Sequence, residues 1–552
     1  MREAVLLKLK VVAGVLSALV WCGASLAEPL YDAAKSAERV KAHMGFLASD
    51  LLEGRDTGAR GHEIAAAYVA TQLAQLGVKP GGENGGYYQS IALLSFRAAD
   101  EGRLTVRAKG AAPAQLVFGD DYLPRPYPTA QELRLSAPVV FAGFGIVDKK
   151  AKRDDYRGLD AKGKIVAVLA GAPAGFQTEE RAYHASIRTK FSVAAAHGAV
   201  GVLLIQTPAE ESRRPFARLL SHRGVWDMTW RQPDGEYYLP GREAAPLGYI
   251  SLAGAAKLFA GSPVPLDQVY RDAEAGKTKS FRLPVSLDAE LNVETKPLTS
   301  VNVVGVVEGV DPVLKNEVIV ISAHLDHFGV KEGGQGDVIF NGAMDNASGV
   351  ATALEVARGF AEGQPPRRTV AFVFVTAEEK GHAGSQAFAS YPTVPGRLAA
   401  VINLDMPMLT YDFIDVVAFG NERTNLGPVV RRAADRMGVS LSPDPLPQES
   451  LYTRSDHFSF VMQGVPAVYL ITGFGGDGAR AFGAFAAHNY HQPSDDLSQP
   501  IDYRVGAKFA RLNYEIARDI ANDDTRPAWL PGDFFGDLFA KPQQTVKKSP
   551  RR

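Results

Sequence analysis

The sequence predicts an α/β protein: a three-layer sandwich around a mixed, largely parallel sheet, interrupted by an inserted β-rich module. Three observations carry this. After about residue 300, short apolar runs alternate with helical periods, the pattern of strands covered by helices on both faces. Between about 130 and 290 the texture changes to short runs broken by Gly, Pro and charged turns, which read as strands with few helices. The chain has 552 residues, whereas single cores stop growing at ~250–300 residues, so more than one unit is expected.

Residues 1–27 read as a secretory signal peptide. Arg2, Lys8 and Lys10 precede VVAGVLSALVWCGASLA, and Ser25-Leu26-Ala27 offers a small-x-small cleavage site. The apolar stretch is short against the ~20 residues of a membrane-spanning helix. Cys22 is the only cysteine and falls inside this segment, so the exported protein would hold no disulfide and no thiolate ligand or nucleophile. Export to a periplasm or beyond is expected, with membrane contact only in transit. The formal net charge of -1 gives no electrostatic case for a nucleic-acid partner.

Residues 28–129 form the first part of the main domain. DAAKSAERVKAHMGFLASD and GHEIAAAYVATQLAQLG carry apolar residues at helical spacing, and Gly77 stops the second helix. Residues 130–290 are the inserted module, with strands in APVVFAGFGI, GKIVAVLAG and AVGVLLIQ and a helix in KFSVAAAHGA. Residues 291–525 hold the main part of the α/β domain. SVNVVGVVEG and EVIVISAH are expected to pair as a hairpin. The helix NASGVATALEVARGFAEG and the strand TVAFVFVTA follow, then the strands AAVINLDM and AVYLIT and the helix VGAKFARLNYEIARDIAN. Residues 526–552 are expected to be a loose tail.

The unusual polar residues fall at strand ends, where open α/β sheets bind ligands. EVIVISA runs into His324-Leu325-Asp326, TVAFVFVTA into Glu378-Glu379, and AAVINL into Asp405. Asp345 lies before a helix in FNGAMDNASG, and His491 lies in NYHQPSDD near the chain end. Taken singly, a histidine at a strand end is more often solvated, and an aspartate before a helix is more often its cap. Together, imidazoles and carboxylates suit zinc or a similar divalent cation. Carboxylates converging without a cation would repel, and a pair of ions removes that problem. A carboxylate can bridge two ions where an imidazole cannot, and Asp345 is the best placed to do so.

The set HLD, GAMDNASG, EEKGHAGS, NLDM and YHQPSDD, in that order over roughly residues 300–500, resembles the M28 family of metallopeptidases. LASDLLEGRDTGARG resembles the N-terminal part of that family. The family holds many aminopeptidases with two zinc ions, so the resemblance implies a dizinc metallopeptidase, an aminopeptidase hydrolysing the N-terminal residues of peptides, and the signal pattern above adds the expectation of export. It implies that His324, Asp345 and Asp405 hold one zinc and that Asp345, Glu379 and His491 hold the other. Glu378 would be the general base, Asp326 would orient His324, and Tyr490 matches a tyrosine that stabilises the oxyanion in some members. A cis bond at Asp345–Asn346 is expected on the same ground. The 130–290 module resembles a protease-associated domain. His382 stands where many members have leucine, Met344 stands where a polar or acidic residue is common, and Asp456 and His457 read as supporting residues.

Two other motifs fail on inspection. HEIAA at 62–66 lacks the second histidine of the HExxH zinc helix, and DNASG lacks the first glycine of a nucleophile elbow. The alternatives that remain are a dipeptidase or carboxypeptidase of the same family, a one-zinc acyltransferase similar to glutaminyl cyclase, and a non-catalytic binding protein. The last conflicts with the presence of every expected ligand and of Glu378.

Overall fold

The computed structural model describes residues 32–221, 223–331 and 333–540. The signal peptide expected at 1–27 lies outside the described residues. Among the described residues no helix is long and apolar enough to cross a membrane.

The main sheet is mixed. Its centre is a parallel group in which Glu317–His324 lies between Thr369–Val375 and Arg397–Leu404, followed by Ala467–Thr472. Asp415–Phe419 adds antiparallel to the last of these, and Ser440–Ser442 adds parallel to Asp415–Phe419. The apolar runs in these strands are unbroken because both faces are covered. Ile319, Ile321, Phe372 and Phe374 face one cluster, and their neighbours Val318, Val320, Ala371 and Val373 face the other. The first face carries helices Ala33–Leu47, Ser348–Glu362 and Tyr503–Asn522. The second carries Ala383–Ser390, His457–Val461 and the Phe534–Phe539 helix. Each fully buried Val, Ile or Phe contributes ~1.5–3 kcal/mol, so this double burial makes the strand ends a rigid base.

The 27-residue strand Phe281–Val307 joins two sheets. Its end, Val303–Val307, pairs antiparallel with Thr369–Val375. Its middle pairs with Tyr88–Ala98, and its start pairs with Arg103–Ala108 and Glu132–Phe141 in a second sheet. That second sheet continues through Ile165–Leu169, Gly201–Ile205 and Ala245–Ile250.

Four sequence expectations are corrected here. SVNVVGVVEG and EVIVISAH do not form a hairpin, because Thr369–Val375 lies between them and pairs with both. The second sheet starts at Arg103 rather than near 130, since the alternating RLTVRA run was too short to be read as its edge. The 130–290 stretch holds more helix than expected: besides Ile187–Ala196, which KFSVAAAHGA announces, it has Thr178–Ala185, Leu252–Leu258 and Leu266–Glu274. The segment from 526 is not loose up to 540. Phe534 and Phe535 are buried, and the Trp529 indole N–H donates to the Gly464 carbonyl at 2.9 Å.

Candidate metal centre

The parallel register brings the polar strand ends side by side. His324 stands opposite Val375, and Ser322 stands opposite Asn403. The next residues of the three chains are therefore neighbours on one rim. His324, Asp345 and Asp405 can each offer a ligand atom within 4.8 Å of the others, and so can His324, Glu378 and Glu379. His324 Nε2 is 3.2 Å from Asp345 Oδ1 and 3.1 Å from Asp405 Oδ1. His491 Nε2 is 3.3 Å from Asp345 Oδ2 and 3.3 Å from Glu379 Oε2. The two oxygens of Asp345 thus face different histidines. Apart from His491, which is partly exposed, these side chains are buried.

Local backbone geometry sets these positions. The Asp345–Asn346 bond is cis, as the resemblance implies. Gly342 has φ +59, and a Cβ there would stand 2.2 Å from the Asp345 carbonyl oxygen. Gly349 could carry no Cβ either, since it would meet Asn346 Oδ1 at 2.0 Å. Ala377, Met406 and His491 are left-handed at φ 56, 51 and 56. Each sits at or beside a site residue, where such strain concentrates when the surroundings enforce it.

Three further carboxylates or hydroxyls hold the loops. Asp326 Oδ1 accepts from the Glu378 amide at 3.0 Å and Oδ2 from the Glu379 amide at 3.4 Å, with Thr57 Oγ1 at 3.2 Å. His324 Nδ1 meets the Asp326 carbonyl oxygen at 3.2 Å. Asp326 thus meets the His324 imidazole through its main chain, while its carboxylate is engaged by the two glutamate amides. Asp495 accepts from the Met344 and Asp345 amides at 2.9 and 3.0 Å. Ser455 Oγ donates to Asp405 Oδ2 at 2.5 Å.

Tyr490 stacks on His491 with ring centroids 3.8 Å apart, and Arg454 Nη2 donates to its phenol oxygen at 3.3 Å. His382 Nε2 is 3.0 Å from Glu378 Oε1. Asp456 and His457 are fully buried at the start of the His457–Val461 helix and belong to neither of the trios above. Met344 is buried in the Asp345 turn.

Reasoning from sequence missed three residues. His327 Nδ1 is 2.6 Å from Glu379 Oε1, and His327, Asp345 and Glu379 form another candidate trio. The second histidine of HLDH was its signal. Arg55 is 1% exposed and donates to the carbonyls of Leu47, Leu325, Asn341 and Gly342. Its signal lay in LLEGRDTG, where a lone arginine carries no pattern of its own. Asp495 lies within the quoted QPSDD, but its burial could not be read from the string.

Burial, reinforced by the charges of Asp405 and Asp345, pushes the Glu378 carboxyl well above the usual carboxylate range, and burial, reinforced by Asp345 and Glu378, does the same to Glu379. Burial would push the His324 imidazole down, but Asp405 and Asp345 outweigh it and hold it well above its ordinary value. Such a buried crowd of carboxylates and imidazoles is the donor set that divalent zinc accepts, and the His327 Nε2 left without a partner among the described residues is a further polar atom beside it.

Residues 302–517 match the model of Peptidase family M28. A probable zinc metalloprotease of Pyrenophora tritici-repentis is 48% identical over 73 residues, covering 13% of this chain and 16% of that one. A probable leucine aminopeptidase 2 of Aspergillus oryzae is 26% identical over 246 residues, covering 41% and 44%. The chain therefore spans less than half the length of these curated relatives. Among solved structures, an aminopeptidase from Aneurinibacillus sp. strain AM-1 is 19% identical, covering 88% of this chain and 94% of that one with a TM-score of 0.47. The HLD, MDNASG, EE, NLD and YH segments gathered on one sheet rim all lie inside the span that matches the model of Peptidase family M28.

Proposed function

We propose that the protein is an exported aminopeptidase that binds two zinc ions and removes residues from the amino end of peptides. The observation that carries this is Asp345, whose two carboxylate oxygens face two different histidines. That is the disposition a bridging ligand needs. His324 and Asp405 would hold one ion with Asp345. Glu379 and His491 would hold the second with it. His327, against the other oxygen of Glu379, would fix the orientation of that carboxylate, as outer hydrogen bonds do for metal ligands. When bound, the zinc pair supplies Lewis-acid charge at the scissile carbonyl and makes water acidic enough to be deprotonated near neutral pH.

The chain's own residues do the rest. Glu378 and Glu379 stand in a turn, with the Gly381 and His382 amides donating to the Glu378 carbonyl at 3.0 Å; Glu379, between His327 and His491, faces the ions, while Glu378, beside His382, faces the water. Glu378 takes the proton of the attacking water and returns it to the departing amine. Asp326, by holding both glutamate amides, keeps that pair in register with His324. Tyr490 stands over His491, where its phenol can donate to the developing oxyanion. The aminopeptidase choice follows the likeness to the probable leucine aminopeptidase 2 of Aspergillus oryzae. The inserted unit is proposed to be a protease-associated domain, and export rests on the pattern of residues 1–27.

Glu378→Gln should keep its metal and lose ~10²–10⁴-fold in turnover of an aminoacyl anilide. Elemental analysis should find two zinc ions per chain in wild type and variant alike. Near-normal turnover by the variant would remove Glu378 from the mechanism. One ion per chain would favour the acyltransferase-like alternative, and cleavage of peptides with blocked amino ends would favour a carboxypeptidase.

A further inference from the structure

We infer that the cavity between the inserted unit and the catalytic loop binds the departing side of the peptide and recognises a carboxylate on it. This rests on the peptidase reading above and adds the substrate class. The cavity measures about 760 Å³, within the ~300–1,000 Å³ of small-ligand clefts, and so has room for a few residues. Its wall includes Lys380, Gly381 and His382, which directly follow Glu378 and Glu379. The opposite wall comes from the inserted unit. The two are joined there: the Met228 amide donates to the Lys380 carbonyl at 2.7 Å, and Arg188 Nη2 donates to the Gly381 carbonyl.

The side of the centre on which this cavity lies decides which part of a peptide it takes. It meets the centre through His382, 3.0 Å from Glu378, and Arg454, 3.3 Å from the Tyr490 phenol. Glu378 is the group that hands its proton to the departing amine, so the chain beyond that amine leads to the Glu378 side.

The charge of the lining decides what it recognises. Seven cationic side chains line the cavity against three carboxylates. Arg125 is paired with Asp227 at 3.0 Å. Lys380 is paired with Asp56, and Arg213 with Glu210 at 2.5 Å, while Arg213, Arg214 and Arg454 all share Glu449, at 3.2, 3.6 and 3.8 Å. Arg188 has only a carbonyl and no carboxylate partner among the described residues. Two glutamates spread over three guanidinium groups, with Arg188 beside them, leave positive charge to spare, and guanidinium is the group that binds carboxylate bidentately. That carboxylate has two sources, the C-terminus of a short peptide or an acidic side chain near the cleaved bond.

The test compares Leu-Gly-Gly, its C-terminal amide and Leu-Glu-Gly amide. In wild type, kcat/KM should favour either carboxylate-bearing peptide over the neutral amide. A preference for the free acid alone names the terminus as the source, and one for the glutamate peptide alone names the side chain. Arg188→Ala and Arg214→Ala should each reduce that preference about tenfold, the scale of one charge-assisted hydrogen bond. Arg188→Lys covers the case in which Arg188→Ala fails to fold, and should recover part of the preference. Calorimetric binding of the same peptides to zinc-loaded Glu378→Gln protein, with and without Arg188→Ala, reads recognition apart from turnover. Equal binding of acid and amide in that protein, unmoved by the arginine change, overturns the carboxylate site while leaving the peptidase reading intact. Selective binding of carboxylate peptides without hydrolysis by wild type overturns the peptidase reading while keeping the site.

Discussion

Arg55 shows how one residue can organise a site it never enters. Its guanidinium is buried and donates to four main-chain carbonyls. Leu325 and Asn341–Gly342 are the chain just ahead of Asp326 and Asp345, so one side chain ties two of the site's loops to the end of the Ala33–Leu47 helix. Burial pushes its guanidinium down to about 10, with Asp495 and Asp345 resisting, and the group stays charged at neutral pH. Arg55→Met should fill the volume yet leave those carbonyls without donors, at ~1–3 kcal/mol for each buried group left unsatisfied. A urea midpoint lowered by at least the equivalent of ~3 kcal/mol, together with weaker zinc retention on dialysis, is expected. An unchanged midpoint would mean that the loops hold themselves. The contrast with Asp345 is instructive. Its place in GAMDNASG was legible because residue type and motif coincide, whereas an arginine that serves carbonyl oxygens has no fixed spacing to its partners.

At the scale of elements, the Ile187–Ala196 helix carries Arg188 toward the cavity and Lys190 into the inserted unit's interior. Lys190 Nζ donates to the Phe144 carbonyl at 2.6 Å, and burial, only partly offset by Asp155, pushes its amine down to about 7. An unfolded lysine titrates near 10.4, so between about pH 7 and 10 the unfolded chain holds more protons than the native one, and stability should rise with pH over that window. Lys190→Met removes the titration. The rise in urea midpoint from pH 7 to 10 should therefore be smaller in the variant than in wild type; equal slopes would show that the amine keeps an ordinary affinity for protons. The helix itself was legible from KFSVAAAHGA, and so were the helices at 33–47, 60–75, 348–362 and 503–522, because long apolar periods survive any tertiary context. Strand partners were less legible. EVIVISAH and TVAFVFV declare themselves as buried strands by composition, yet nothing in either string says that the second inserts beside the first. Pairing between distant segments is decided by the packing of whole faces.

Across the whole molecule, the inserted unit has to be held against the catalytic unit if the cavity is to keep its shape. Arg423 is the evident fastening. It is 5% exposed and projects from the Asn421–Arg423 turn of the catalytic unit. Its Nη2 reaches Glu179 at 3.1 Å and Gln177 at 3.1 Å, both at the start of the inserted unit's Thr178–Ala185 helix. Its Nη1 reaches Asp533 at 2.9 Å, in the C-terminal segment. Tyr183 of the same helix packs against Phe534, Phe535 and Phe539, so inserted unit, catalytic unit and chain end meet at one point. Arg423→Ala leaves Asp533 buried beside an unpaired Glu179, and removing one partner of a buried ion pair costs ~3–5 kcal/mol. Such a charge pair can escape that cost only by separating, which moves the helix that bears Arg181 and leads to Arg188. The variant should therefore show faster amide hydrogen exchange in 177–196 and in 529–539, with the central strands Glu317–His324 and Arg397–Leu404 unchanged. Its preference for carboxylate-bearing peptides should fall while its zinc content holds, because the metal rim stands on those central strands and the cavity wall does not. Exchange that quickens uniformly across the sheet would instead show the two units to be one cooperative body, with Arg423 contributing to general stability and not to the shape of the cavity.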